Sequence, residues 1–186
     1  PRPPKSADAL GWSAAWAAEP ARRAAAADRL AEILAAEGIV VEAASIRAER
    51  AEIRIRNARW GAVAQAVGRT ARVMARVLPP SVEVFRIVPV QDGVPAAAVT
   101  LSRSDVERLE HAPAREILAR LEIDGGVSRP DDMVRLQSYP ILSWGIGPYL
   151  DVSLFDPDQP VRGNLGLALG AELGVAPGLV LAGEVR

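Results

Sequence analysis

Three arginines offer the plainest chemistry in the sequence. Arg69, Arg72 and Arg76 recur at spacings of three and four, which lines them along one side of a helix. A stripe of guanidinium forks suits the carboxylates of an acidic polysaccharide or of an acidic partner surface; a solvated helix face accounts for the same residues. Arg54 and Arg56, on the strand face that also carries Glu52, read as further exposed basic charge. Asp156-x-Asp158 and Asp131-Asp132 present oxygens to a cation, yet each lacks the further ligands and loop length of a defined calcium site. Pro and Asp also set and cap turns directly, which explains Asp156-Pro157-Asp158-Gln159-Pro160 as a turn. His111 stands beside Ala112-Pro113 with no second His to share a metal and no Ser motif to activate, so it reads as a surface or junction residue. No catalytic residue, metal or cofactor is expected.

Composition narrows the chemistry further. With one His and no Cys in 186 residues, thiol nucleophiles, zinc clusters and disulfide frameworks are excluded. Twenty-two basic residues against 23 acidic give a net charge of −1, so the electrostatic footprint of a nucleic-acid binder is missing. A content of 49% apolar residues supports a packed core. The sequence has no run of eighteen apolar residues that would make a transmembrane helix. It opens on Pro1 with no basic-then-apolar signal segment, and is expected to be a piece of something longer.

The elements that must position these residues follow from periodicity. Residues 1–20, with Trp12 and Trp16 four apart, read as a lead-in tail. Ala21 to Glu37 has high helix propensity and stops at Gly38. Ile39 opens a strand, and Ala51 to Arg56 alternates apolar with charged, so residues 39–56 read as a hairpin. Asn57 is placed to cap a second helix from about Arg59 to Leu78, with Val63, Val67, Thr70, Met74 and Val77 on one face and Pro79-Pro80 ending it. Gly68 inside that helix permits close packing or is simply tolerated. Ser81 to Val90 and Val94 to Leu101 read as a second hairpin around Gln91-Asp92-Gly93.

The expected fold is therefore α+β: a two-layer helix-hairpin-helix-hairpin domain over residues 21–102, with a four-stranded antiparallel sheet and two helices. Ser102-Arg103-Ser104-Asp105 has the Ser-x-x-acid pattern of a helix start, and Pro113 suits the first turn of another helix ending near Leu121. Residues 103–148 are expected to be a helical and irregular connector.

The last segment changes character. From Asn164 to Val175 the odd positions are Leu165, Leu167, Leu169, Ala171, Leu173 and Val175, and the even ones are small or polar. This is the pattern of a strand facing lipid on one side and a barrel interior on the other; a soluble hairpin with one face on a core shows the same period. Leu150, Val152 and Leu154 alternate as well, and Leu179 to Arg186 follows the turn Ala176-Pro177-Gly178. Trp144 and Tyr149 are candidates for an interfacial aromatic girdle. Residues 149–186 are thus expected to form a β-hairpin opening a membrane β-barrel, with further strands beyond Arg186.

Several stretches resemble one family: Asn57-Ala58-Arg59-Trp60, Gln65 to Val73, Pro79 to Phe85, Ser102 to Glu107, Pro148-Tyr149-Leu150, Ser153 to Arg162 and Ala176 to Leu179. They are similar to the YjbH/GfcD family, outer-membrane proteins of Gram-negative bacteria associated with exopolysaccharide or capsule secretion. The resemblance covers roughly residues 50–186. It implies a periplasmic α/β region flanked by β-barrel parts, a non-enzymatic accessory role beside polysaccharide export, and exopolysaccharide or secretion-system proteins as partners. It carries no catalytic residue with it. A soluble periplasmic binding domain for polysaccharide or a partner protein is the alternative; a polysaccharide-modifying enzyme would need a carboxylate pair around a cleft, which the sequence does not display.

Overall fold

The computed structural model describes residues 14–91, 93–108, 116, 120–125, 128–136, 140–154, 161–176 and 178–186. The chain divides into two units, Pro1–Gln137 and Ser138–Arg186.

In the first unit the Ala-rich helix α1 (Pro20–Ala36) buries Ala26, Ala27, Leu30 and Leu34. It ends at Gly38, whose φ of 75° is a conformation open chiefly to glycine. Strands β1 (Ile39–Ile46) and β2 (Arg50–Asn57) form the expected hairpin, with a register shift between Val41 and Ala43. Alternation along β2 sends Ala51, Ile53 and Ile55 into the core and Glu52, Arg54 and Arg56 to the opposite face. Helix α2 (Val63–Val77) buries Ala66, Val67, Thr70, Ala71, Val73, Met74 and Ala75. It starts later than the sequence suggests, and Val63 is exposed, because Asn57 is engaged in the turn before it: Asn57 Oδ1 accepts from the Trp60 N–H at 2.8 Å, and Nδ2 donates to the Trp60 carbonyl at 2.6 Å.

The sheet departs from the four-stranded antiparallel expectation. It has seven strands, with β6 (Glu122–Asp124), β5 (Ala98–Ser102), β3 (Val84–Gln91), β2, β1 and β7 (Val134–Arg135) in that spatial order, and the two-residue β4 (Val94–Pro95) beside β3. β3 runs parallel to β2, pairing Ile53 with Ile87, and β5 returns antiparallel, pairing Phe85 with Leu101. The parallel pair follows from α2, which carries the chain back along the sheet so that β3 begins at the end where β2 began. β6 and β7 arise in the segment read as a connector. At three and two residues they are too short to display a period.

The first-unit core is one cluster in which Leu30, Leu34, Ile39, Ile53, Phe85 and Ile87 are fully buried. Removing such a side chain from water is worth about 1.5–3 kcal/mol. Trp16, assigned by sequence to the lead-in, belongs to this cluster, and its Nε1 donates to Ser81 Oγ at 3.1 Å. Trp12 lies outside the described residues. The expected Ser-x-x-acid start is present at α3 (Arg103–Arg108): the Asp105 N–H donates to Ser102 Oγ at 3.0 Å, and Ser102 Oγ donates to Asp105 Oδ2 at 2.8 Å. The second connector helix from Pro113 falls almost wholly on residues not described.

The second unit is a three-stranded antiparallel sheet in the order β10 (Leu179–Val185), β9 (Val161–Ala176), β8 (Ile141–Leu154). The expected hairpin β9–β10 is joined by a complete third strand that begins at Ile141. Leu142, Trp144, Ile146, Pro148, Leu150 and Val152 hold the same period of two, but Gly145 and Gly147 between them, and Pro148 itself, read as breakers. In a ladder this long the small residues occupy one face and the chain stays extended.

Candidate functional site

Two surfaces invite a functional reading, one in each unit. On the first, the stripe is built at the meeting of α1, the 57–60 turn and α2. The Trp60 indole Nε1 donates to the carbonyl of Glu37 at 2.9 Å, which answers one of the free carbonyls at the end of α1. The Arg69 guanidinium lies over the indole at 3.7 Å from the ring centroid, and its Nη1 donates to Glu37 Oε2 at 2.8 Å. Arg59 flanks the same ring at 5.3 Å. Gly38 fits under Arg59 because a Cβ there would lie 2.5 Å from Arg59 Cβ. Arg69 is therefore committed to the fold, whereas Arg72 and Arg76 stand exposed beside it.

Arg54 and Arg56 are not exposed basic charge. They form a paired layer on the sheet face opposite the helices: Arg54 and Arg86 bracket the buried carboxylate of Glu52 at 3.7 and 3.4 Å, Arg86 also reaches Asp124 at 3.2 Å, and Arg56 meets Glu42 at 3.5 Å. Burial pushes the Glu52 and Glu42 carboxyls up, against the pull of their arginines. Residues 128–136 cross over this layer, with Arg54 Nη2 donating to the Ser128 carbonyl at 3.1 Å. Asp132 accepts from Ser45 Oγ at 2.8 Å and from Arg47 at 2.9 and 2.8 Å, so the carboxylate that offered itself to a cation is an anchor for this crossing. The Arg47 hydrogen bonds hold its carboxyl well below the usual range.

Sequence reasoning gave Arg103 no role beyond its place in a helix start. Buried against Phe85, its guanidinium donates to the carbonyls of Ala75, Leu78, Pro79 and Val82 at 2.8–3.0 Å, closing the C-terminal end of α2. The only cue in the sequence is its position directly after a strand that pairs beside that end.

The second surface is the sheet β8–β10. The register puts Leu142, Trp144, Ile146, Pro148, Leu150 and Val152 of β8 beside Leu173, Ala171, Leu169, Leu167, Leu165 and Gly163 of β9. Leu181, Gly183 and Val185 of β10 continue the same face. It carries no charge, and its large side chains are open to solvent: Trp144 is 72% exposed, Leu165 79% and Leu167 67%. The opposite face holds Ser143, Gly145, Tyr149, Asp151, Asn164, Gly166, Gly170, Glu172 and Glu184. Over it runs a shallow groove of about 500 Å³ along Ser143, Gly145, Gly170, Glu172 and Ala182. Tyr149 belongs to this small and polar face, its ring seated on Gly166, where a Cβ would come within 2.5 Å of Cε1. It therefore does not share a face with Trp144, as a common girdle requires.

Among the described residues no group of three or more His, Cys, Asp or Glu side chains is placed to hold a metal. His111, Asp156 and Asp158 lie outside the described residues. Among the described residues no helix is long and apolar enough to cross a membrane, a finding that bears on helices alone.

Compared with known proteins, the chain matches one family model, described as exopolysaccharide biosynthesis protein YbjH, over residues 2–186. No curated protein and no solved structure matches it significantly.

Proposed function

The chain belongs to the YjbH family of exopolysaccharide biosynthesis proteins, and from that premise we propose that it is a non-enzymatic accessory part of an outer-membrane protein in exopolysaccharide or capsule secretion. In this reading the three-stranded sheet is a sector of a β-barrel wall, and the α+β unit works on the periplasmic side. The observation that carries it is the charge-free, exposed face of β8–β10 backed by a small and polar one. Soluble monomers rarely leave such a face open, whereas a barrel wall requires this pairing of faces. The dimensions agree. From Leu142 to Val152 the strand rises about 33 Å, which at a tilt of roughly 45° spans about 23 Å, close to the ~25 Å apolar band of an outer membrane.

Fractionation of cell envelopes tests the reading. The full-length protein is expected to stay in the outer-membrane fraction through carbonate and high-salt washes and to leave it only with detergent. Release by carbonate alone would reject the barrel and favour a soluble periplasmic domain.

A further inference from the structure

We propose that the exposed ridge of α2 is a docking surface for an anionic polysaccharide, engaged by the guanidinium groups of Arg72 and Arg76. The inference rests on the exopolysaccharide reading above and not on the seat of the three-stranded sheet in a membrane.

Helix α2 carries Arg69, Arg72 and Arg76 and no acidic residue from Val63 to Val77. At about 100° per residue, Gln65, Arg69, Arg72 and Arg76 fall within an arc of roughly 60°, and the arginines extend along about 10 Å of the axis. Elsewhere in this unit some exposed arginines have acids at hand, Arg22 with Glu19, Arg29 with Glu32, Arg47 with Asp132 and Arg108 with Asp105. Arg50, Arg59 and Arg135 are exposed without an ion pair among the described residues but stand singly, not on one helix ridge. Arg72 and Arg76 are exposed and make no ion pair among the described residues. Position in the last turn, where the helix dipole favours a cation, accounts for Arg76. It does not account for Arg72, which sits mid-helix. Arg69, clamped between Trp60 and Glu37, props the ridge from below and is a positioning residue.

The surroundings favour a polymer over a folded protein partner. Gly61, Ala62, Ala64 and Gly68 flank the ridge, with open space at both glycines. A protein interface draws its affinity from large apolar anchors in pockets, and this ridge presents none. Planar guanidinium forks match carboxylates in two-point contact. Each exposed contact is weak, but a chain with repeated carboxylates re-engages the ridge and gains through effective concentration.

The test measures binding of polygalacturonate to the full-length protein in detergent micelles, with neutral dextran and poly-glutamate as companion probes. The wild type is expected to bind polygalacturonate and not dextran, with affinity falling as salt rises. R72Q/R76Q is expected to lose about tenfold, while R29Q, which removes an exposed arginine from α1, keeps wild-type affinity. Should the double variant yield less folded protein, R72Q alone carries the test, because Arg72 supports no helix end. The proposal is overturned if R72Q/R76Q binds as well as wild type, if dextran binds equally, or if the wild type ignores polygalacturonate. Preference for poly-glutamate would overturn it in favour of an acidic protein surface. Envelope fractionation reads out separately: protein released by carbonate that still shows the R72Q/R76Q loss would reject the membrane seat and leave the ridge standing.

Discussion

The guanidinium plane of Arg69 rests 3.7 Å from the centroid of the Trp60 ring while both residues hold Glu37, one at its carboxylate and the other at its carbonyl. Three separate stretches, the end of α1, the 57–60 turn and the first half of α2, are joined through this pair. Arg69→Ala is expected to lower unfolding free energy by about 1–2 kcal/mol, the range of a partly desolvated cation–π contact with its ion pair. Arg69→Lys restores less than half, because an ammonium does not stack flat on indole. Arg72→Ala, on the same ridge, should stay within about 0.5 kcal/mol of wild type. Urea unfolding followed by tryptophan fluorescence measures all three.

Arg103 sits at the point where α2 ends and donates to four carbonyls there, of which, among the described residues, only that of Pro79 also accepts from a backbone donor, the Val82 N–H at 3.0 Å. Replacing it with Met keeps the stem and leaves three carbonyls, those of Ala75, Leu78 and Val82, without the donor they have now. Each buried acceptor left without a donor costs about 1–3 kcal/mol, so Arg103→Met is expected to lose at least about 3 kcal/mol. Arg103→Lys, with three donors on a point charge, falls between the two. Thermal unfolding by circular dichroism checks the order.

Asp132 gives the structure a defined response to acid. Its carboxyl lies well below its ordinary value of 3.8 because Arg47 and Ser45 donate to the ionised form. Its contribution is therefore complete above the ordinary value and disappears as pH falls below it. Asp132→Asn should be less stable than wild type at pH 7, with the gap narrowing below about pH 4. Glu52 has the opposite sign: burial raises its carboxyl above 4.5, so its ionisation costs stability as pH rises past that value. Denaturation midpoints at pH 7, 5, 3 and 2 separate the two.

The two faces of β9 should respond differently to charge. Leu167→Arg places a guanidinium on the uncharged face, which in the proposed barrel wall would cost up to about 2–4 kcal/mol, the figure for the centre of a bilayer. Asn164→Arg places the same group on the polar face and should be tolerated. The measurement is the share of full-length protein that stays folded in unheated gel samples from outer-membrane fractions. Equal shares for both variants would contradict the assignment of faces.

The first hairpin and the second helix were legible in the sequence because strict alternation along β2 and a continuous apolar stripe along α2 leave one arrangement that buries both. Strand direction was not: Val84 to Gln91 has the same pattern whether it runs with β2 or against it, and only the length of the crossover decides. β8 was partly hidden because Gly145, Gly147 and Pro148 obey the rule for turns before they obey the rule for faces. Of the stripe, the spacing of Arg69, Arg72 and Arg76 was visible. The engagement of Arg69 was not, since its partners Glu37 and Trp60 lie 32 and 9 positions away, too far for a helical spacing to report.

β6 on one edge of the seven-stranded sheet and β7 on the other are consecutive in sequence with nine residues between them, of which Ser128 meets Arg54 of β2 and Asp132 meets Ser45 of β1. Five inter-strand steps make about 24 Å, which nine residues reach with little slack. The two edge strands thus share a single connection, tied down just before β7 by Asp132 on Ser45 and Arg47. One protease cut in that connection would leave β6 and β7 held by their own three and two ladder positions, so that β5 and β1 become the next edges open to pairing on both sides of the sheet.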